Sequence, residues 1–241
     1  MKKLEIKNWD GFSGKISEIE KDASENSNAI RLFRGVTDHQ HNLVPKIGRP
    51  GARKNPADGT QLSHCKDEER KMLELFKRTA LPYLPYQPRN DLEWLAVAQH
   101  HGAPTRLIDW TESPLVAAYF AMEKAGTEGQ PAIYVLSGTA EAPEKLVDEK
   151  PDVFSWTETY CYRPPHISPR IQVQRSVFTI HHCPSSEFNP DNLEKWVFPK
   201  GPTCFEIKRI LDRVGFNRAS LYPDLQGLAE HVGWCYKWGR F

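Results

Sequence analysis

Trp94–Ala121, WLAVAQHHGAPTRLIDWTESPLVAAYFA, places polar and reactive side chains between apolar segments more densely than a structural stretch needs. Asp91–Gln99 carries Leu92, Leu95, Ala96 and Ala98 at mixed three- and four-residue steps, the spacing of one apolar face of a short helix. Gly102 and Pro104 stop it. Arg106–Asp109 is too short for periodicity to classify. Leu107 and Ile108 lie between Pro104 and the Thr111-Glu112-Ser113-Pro114 turn, which predicts a short buried strand or extended segment. A second helix then begins. Ser113 suits the N-cap and Pro114 the first helical position, where its missing N–H costs nothing. LVAAYFAMEKA continues with Leu115, Ala118, Tyr119 and Met122 on one face until Gly126.

That helix start gives Ser113 and Thr111 two readings. Unpaired N–H groups and the helix dipole favour an anion such as phosphate there, yet a Ser-Pro before an apolar run is first of all a cap. Adjacent His100 and His101 point in different directions on a helix, so they cannot chelate one metal together. One of them is expected to be buried and hydrogen-bonded. Asp109 beside Arg106 reads equally as an internal ion pair or as a catalytic group.

Outward from this block, Ala29–Val36, AIRLFRGV, reads as a strand that delivers Arg34 to one face, followed by Gly35, where a missing Cβ admits a close approach to the backbone. Asp67–Ala80 predicts an amphipathic helix through Met72, Leu73, Leu75 and Phe76. Pro82, Pro85 and Pro88 make an extended connection carrying Tyr83 and Tyr86. Ala132–Leu136 is a buried strand, and Arg170–His181 alternates as another, with an irregularity at Arg175 and Ser176. Trp196–Pro199 gives a short strand, Cys204–Val214 a helix, and Leu225–Val232 a weak helix. Helices cluster early and late with strands between, which favours an α+β domain over a doubly wound sheet. The chain has no GxGxxG or Walker loop, so a Rossmann or P-loop route to a nucleotide is not expected. Ser24–Asn28 is a polar run suited to a loose N-terminal linker.

Composition sets limits. A chain of 241 residues, 39% hydrophobic and 26% charged, buries a substantial core. No apolar run approaches the ~20 residues of a membrane span, and MKKLEIKNWD meets an acid too soon for a secretory signal, so a cytoplasmic location without membrane contact is expected. The five cysteines contain no CxxC pair, and His39-x-His41 and His181-His182-Cys183 have no second cluster at ligand spacing, so the chemistry is expected to be metal-free. A net charge of +1 argues against a dedicated nucleic-acid binder. One basic patch stands out: KIGRPGARK carries Lys46, Arg49, Arg53 and Lys54 in a Gly/Pro-rich loop continuing to about Thr60. It reads either as a solvated mobile loop or as an arm for phosphate backbones.

Phe33-Arg34-Gly35, AQHHGAPTRLIDWT, SPLVAAYFA, SPRIQVQRSVFTI and RASLYPDL together resemble the FRG domain family, over most of the chain from about residue 30. The whole chain is expected to be one such domain, with residues 1–28 as a possible N-terminal extension. The family's layout is similar to that of NAD-dependent ADP-ribosyltransferases, which implies a split, mainly antiparallel central sheet flanked by helices. The resemblance implies NAD as a substrate, an arginine on an early strand, a Ser/Thr segment leading into a helix, and a late Glu or Gln. Arg34 would then hold phosphate or ribose oxygens as a bidentate cation, with Arg106 as a further cationic contact. Gly35 would take the carboxamide, Ser113 or Thr111 would fix the arginine strand or the ribose, and Gln174 would stand at the late position. Glutamine is no general base, so proton removal falls to His101 or to the substrate. Arg175 and Ser176 depart from the Gln and Gly more usual there.

Two functions follow. The resemblance implies an ADP-ribosyltransferase, a toxin or antiviral effector acting on RNA or protein and held in check by an antitoxin or inhibitor protein. The other is a catalytically silent module that binds nucleic acid or protein through Arg34, Arg106 and the basic loop.

Overall fold

A computed structural model describes residues 1–25, 31–124, 129–138, 152–165 and 168–240. Its strands are β1 (Lys2–Glu5), β2 (Arg31–Val36), β3 (Arg53–Lys54), β4 (Gln61–Leu62), β5 (Leu107–Thr111), β6 (Ala132–Ser137), β7 (Tyr160–Tyr162), β8 (Ser176–Ile180) and β9 (Leu193–Val197). Its α-helices are α1 (Trp9–Glu25), α2 (Lys66–Ala80), α3 (Asp91–His100), α4 (Pro114–Met122), α5 (Pro169–Val173), α6 (Pro202–Arg213), α7 (Arg218–Leu221) and α8 (Leu225–Lys237). Seven strands form one sheet in the order β1-β9-β6-β2-β5-β8-β7, while β3 and β4 make a separate ribbon. β1 runs parallel to β9 and every other pairing is antiparallel. The α+β class with a mainly antiparallel central sheet is therefore what the sequence implied.

The pairings are uneven. β2 is paired along β6 from Arg31 to Val36, and β5 along β8 from Leu107 to Thr111. β2 and β5 meet only at Phe33 opposite Thr111. Residues directly opposite share a face, and every second residue returns to it, so Phe33, Thr111, Asp109 and Leu107 lie on one side. On that side α1, α4 and α6 bury Phe33, Ile133 and Trp196 with Phe12, Ala117 and Ile207. Over the other half of the same side, α2 and α3 bury Leu107, Phe178 and Ile180 with Leu73 and Leu95. The opposite face carries Leu32, Ile108, Trp110 and Tyr134, covered by Leu43 and the partly buried Phe188 from irregular segments. Two helical clusters thus sit on separate halves of a sheet joined at one residue pair.

The central block folds nearly as its spacing predicts. Asn90 caps α3 by accepting from the Glu93 N–H at 3.0 Å, and the helix runs one residue further, to His100. Gly102, with φ 88°, ends the turn that follows, in a conformation glycine adopts without a steric cost. β5 extends to Thr111, and Ser113 caps α4, with Pro114 at its start. Gly126 lies outside the described residues.

Other expectations need correction. Arg170–His181 is not one strand: Ser168 caps the short helix α5, Gln174 closes it, Arg175 turns the chain at φ 46°, and only then does β8 begin. Residues 1–28 are not an appendage up to Glu25, because β1 is an edge of the sheet and Phe12 of α1 is wholly buried. Of the predicted linker, Ser24 and Glu25 end α1 and the rest lies outside the described residues. The basic loop is folded: a 3-10 turn spans Lys46–Gly48, and Arg53 and Lys54 pair with Leu62 and Gln61 in the β3–β4 ribbon. The proline connection opens with a 3-10 turn at Leu81–Tyr83.

Candidate functional site

Where β2 and β5 part, a cleft of about 1120 Å³ opens, walled by both strands, the end of α3, the end of α4 and the Gln40–Pro50 segment. β2 places Arg34 in it. Arg34 Nη1 donates to the Asp109 carbonyl oxygen at 2.6 Å and to Asp109 Oδ2 at 3.3 Å, tying the two strands together beyond their single pair. The predicted Arg106–Asp109 pair does not form. Asp109 instead takes a second bond from Gln99 Nε2 at 2.8 Å, while Gln99 Oε1 accepts from Thr105 Oγ1 at 2.7 Å. The Leu107 N–H donates to Thr105 Oγ1 at 3.1 Å, so each donor in this run has a fixed direction.

Arg49 and Arg170 also line the cleft. Arg49 Nε donates to the Val44 carbonyl at 2.9 Å, and burial together with the charge of Arg34 lowers its pKa. The Arg170 guanidinium lies 4.2 Å from the centre of the Tyr222 ring, and its buried Nε has no hydrogen-bond partner among the described residues. Glu123 is on the same wall but pairs with Arg218 at 2.7 Å. The cleft therefore holds more cationic than anionic groups.

Neither of the two histidines is fully buried, contrary to expectation, but His100 is the more enclosed. Burial, then the nearby charges of Arg170 and His101, push the His100 pKa down to about 4, so it is neutral near pH 7, with Nε2 3.4 Å from Ser168 Oγ. His101, the predicted proton acceptor, is an exposed cap of α3 at the cleft rim, its ring edge-on to His100 at 5.0 Å.

Several predicted site residues are spent on structure. Arg106 is wholly buried, outside the cleft lining, in a two-point pair with Glu69 at 2.9 and 2.7 Å. Ser113 Oγ accepts from the Val116 N–H at 3.3 Å and does not line the cleft, so the capping reading accounts for it. Thr111 Oγ1 donates to the Gln174 carbonyl at 2.7 Å and accepts from the Ser113 N–H at 3.1 Å. Gln174 reaches the cleft wall, but its Nε2 donates to the Leu221 carbonyl at 2.9 Å, anchoring α7. Gly35 lines the cleft, yet a Cβ there would run into the Ala117 oxygen and Ala121 nitrogen of α4. Helix packing, rather than ligand approach, requires the glycine. Of the basic residues, Lys46 Nζ bonds to the Gly102 carbonyl and Arg49 lines the cleft, whereas Arg53 and Lys54 lie in the ribbon.

Gln99, Arg170 and the Arg34–Asp109 contact were not foreseen as parts of one site. The first stands beside the His pair in the AQHHGAP stretch, and the last joins residues 75 positions apart, which no local pattern records.

The fold and cleft define an α+β domain with an arginine-lined groove between two sheet halves. Residues 29–130 match the FRG domain. The matched segment holds β2, α2, α3, β5 and α4; the SPRIQVQRSVFTI and RASLYPDL stretches lie beyond it. No curated protein and no solved structure matches the chain. Among the described residues, no helix is long and apolar enough to cross a membrane.

Proposed function

We propose that the cleft binds NAD and that the protein transfers ADP-ribose from it to RNA or protein, as a toxin or antiviral effector. The observation that carries this reading is the convergence of Arg34, Arg49 and Arg170 on one cleft at the divergence of β2 and β5. Two guanidiniums close enough for one to lower the other's pKa repel each other, and a pyrophosphate between them relieves that repulsion. The buried Arg170 Nε has no hydrogen-bond partner among the described residues, so an acceptor that reached it would satisfy a buried donor. The partly buried Phe120 gives the cleft some aromatic surface, and its volume suits a ligand of dinucleotide size.

Cleaving the bond between nicotinamide and ribose builds positive charge on the ribose carbon, so the protein must fix both ends of the dinucleotide and place a polar group beside that carbon. Arg34, Arg49 and Arg170 are assigned the phosphates, and neutral His100 an acceptor's hydrogen bond. Gln174, already bonded to Leu221, is left out of the chemistry. That loss is what favours the alternative, a catalytically silent module binding nucleic acid or protein.

The test is calorimetric titration of NAD together with nicotinamide release in the presence of RNA or lysate protein. Binding that weakens at least tenfold in Arg34→Lys and in Arg49→Gln, but not in Arg53→Gln/Lys54→Gln, is expected. Absence of NAD binding by the wild-type protein refutes the reading.

A further inference from the structure

We propose that Asp109 is the carboxylate that faces the ribose carbon during cleavage, held for that task by Gln99 and Thr105. This rests on the cleft being an NAD site. Both side-chain bonds to Asp109 fall on Oδ2, from Gln99 at 2.8 Å and Arg34 at 3.3 Å, and Oδ1 receives none among the described residues. The side chain is half-exposed, at 50%, and borders the cleft. One oxygen is thus fixed by oriented donors and the other is open to a ligand.

The other acids nearby are otherwise engaged. Glu123 pairs with Arg218, and Glu112 with Arg163 and Arg175 outside the cleft lining. Gln99 is locked by what it bonds: Thr105, itself wholly buried, uses its hydroxyl proton on Gln99 Oε1, so the amide nitrogen must face Asp109. Arg34 pairs with Asp109 through Nη1, and the same guanidinium retains further N–H groups for the ligand.

In the step, the bond from the ribose carbon to the nicotinamide nitrogen breaks and its electron pair leaves on neutral nicotinamide. Oδ1 faces the positive charge left on the ribose carbon and ring oxygen, a contact that strengthens as the charge develops. The acceptor, water in simple hydrolysis, forms the new bond to that carbon and loses its proton to solvent. Gln99 and Thr105 are positioning residues that act through Asp109.

The experiment titrates NAD into wild type, Asp109→Asn, Asp109→Glu and Gln99→Met, and measures nicotinamide release by each. Asp109→Asn is expected to bind NAD within about threefold of wild type and to release nicotinamide roughly a hundredfold or more slowly, with part of the rate restored in Asp109→Glu. Gln99→Met is expected to lower kcat about tenfold with KM little changed. Wild-type turnover in Asp109→Asn overturns the role of Asp109 while leaving the NAD site standing; no NAD binding by the wild-type protein overturns both. If the asparagine variant does not fold, unchanged kcat in both Asp109→Glu and Gln99→Met overturns it.

Discussion

Glu69→Ala is expected to be among the most damaging single changes in this protein, although Glu69 lies outside the cleft. Glu69 and Arg106 have no exposed side-chain surface and share a two-point bond. Arg106 Nη1 also reaches the Val153 and His181 carbonyls at 3.4 Å, its guanidinium lies 4.6 Å from the Phe154 ring centre, and His64 Nε2 approaches Glu69 Oε2 at 2.8 Å. Two carbonyls and a ring offset only part of the cost of a buried cation. Removing the carboxylate strands that charge and two N–H groups, for which losses of about 3–5 kcal/mol are typical. Set against a total of about 5–15 kcal/mol, that is a large share of the stability. With a urea m-value of about 2–3 kcal/mol per M, the midpoint should fall by roughly 1–2.5 M. The double variant Glu69→Leu/Arg106→Met, which removes both charges, should recover most of the loss. Equilibrium urea unfolding followed by tryptophan fluorescence reads both. A shift under about 0.3 M in Glu69→Ala would refute the argument, since the pair would then be either solvated or unformed. The double variant should also bind NAD like wild type, because neither residue lines the cleft.

Ser113→Ala should lower stability by about 1 kcal/mol in thermal unfolding and leave NAD binding unchanged, as expected for a cap alone. Gly35→Ala forces a methyl into the α4 backbone and should cost about 1–3 kcal/mol or more, a loss visible as a lower Tm even without ligand. Gln174→Glu places a carboxylate against the Leu221 carbonyl oxygen, so it should destabilise α7, seen as faster hydrogen exchange there, and should not raise nicotinamide release. Burial pushes His181 down to about 3 and His100 to about 4, from an ordinary 6.5. Below pH 6.5 the unfolded chain therefore binds protons that the folded chain refuses, and the urea midpoint should fall between pH 7 and pH 5; a flat profile would contradict the neutral burial of these rings.

The parts of the fold that were legible are those in which local chemistry and tertiary packing agree. α3 and α4 each have a side-chain cap followed by an apolar run that is buried on nearly all sides, and β6 is an unbroken apolar run, so α3 and β6 came within a residue of their bounds, while α4 ends at Met122, three residues before the expected stop. Ser168-Pro169 carries the same start signal as Ser113-Pro114. It was overridden because Ile171, Val173 and Val177 alternate, and a five-residue helix is too short to show its own period. α1 carries Trp9, Phe12, Ile16 and Ile19 at three- and four-residue steps among many charged residues, a helical period that was present in the sequence but missed, while β1 gains its partner only by docking on β9.

The site was legible as a neighbourhood and not as a set of contacts. The expected pairing of Arg106 with Asp109 fails because Arg106 directly precedes β5 and turns its guanidinium to Glu69 of α2, while Asp109 lies within the strand beside β2. Freed from each other, each needed a partner elsewhere: Arg106 found Glu69 across 37 positions, and Asp109 found Arg34 across 75. What separates the two arginines is the sheet itself. Next to the continuous β5–β8 ladder, Arg106 is sealed under α2 and Phe154, whereas Arg34 stands where β2 and β5 share one residue pair and no ladder closes the gap. A cation in a sealed core depends on its own carboxylate, whereas one at an open seam in the sheet keeps a side open toward the cleft.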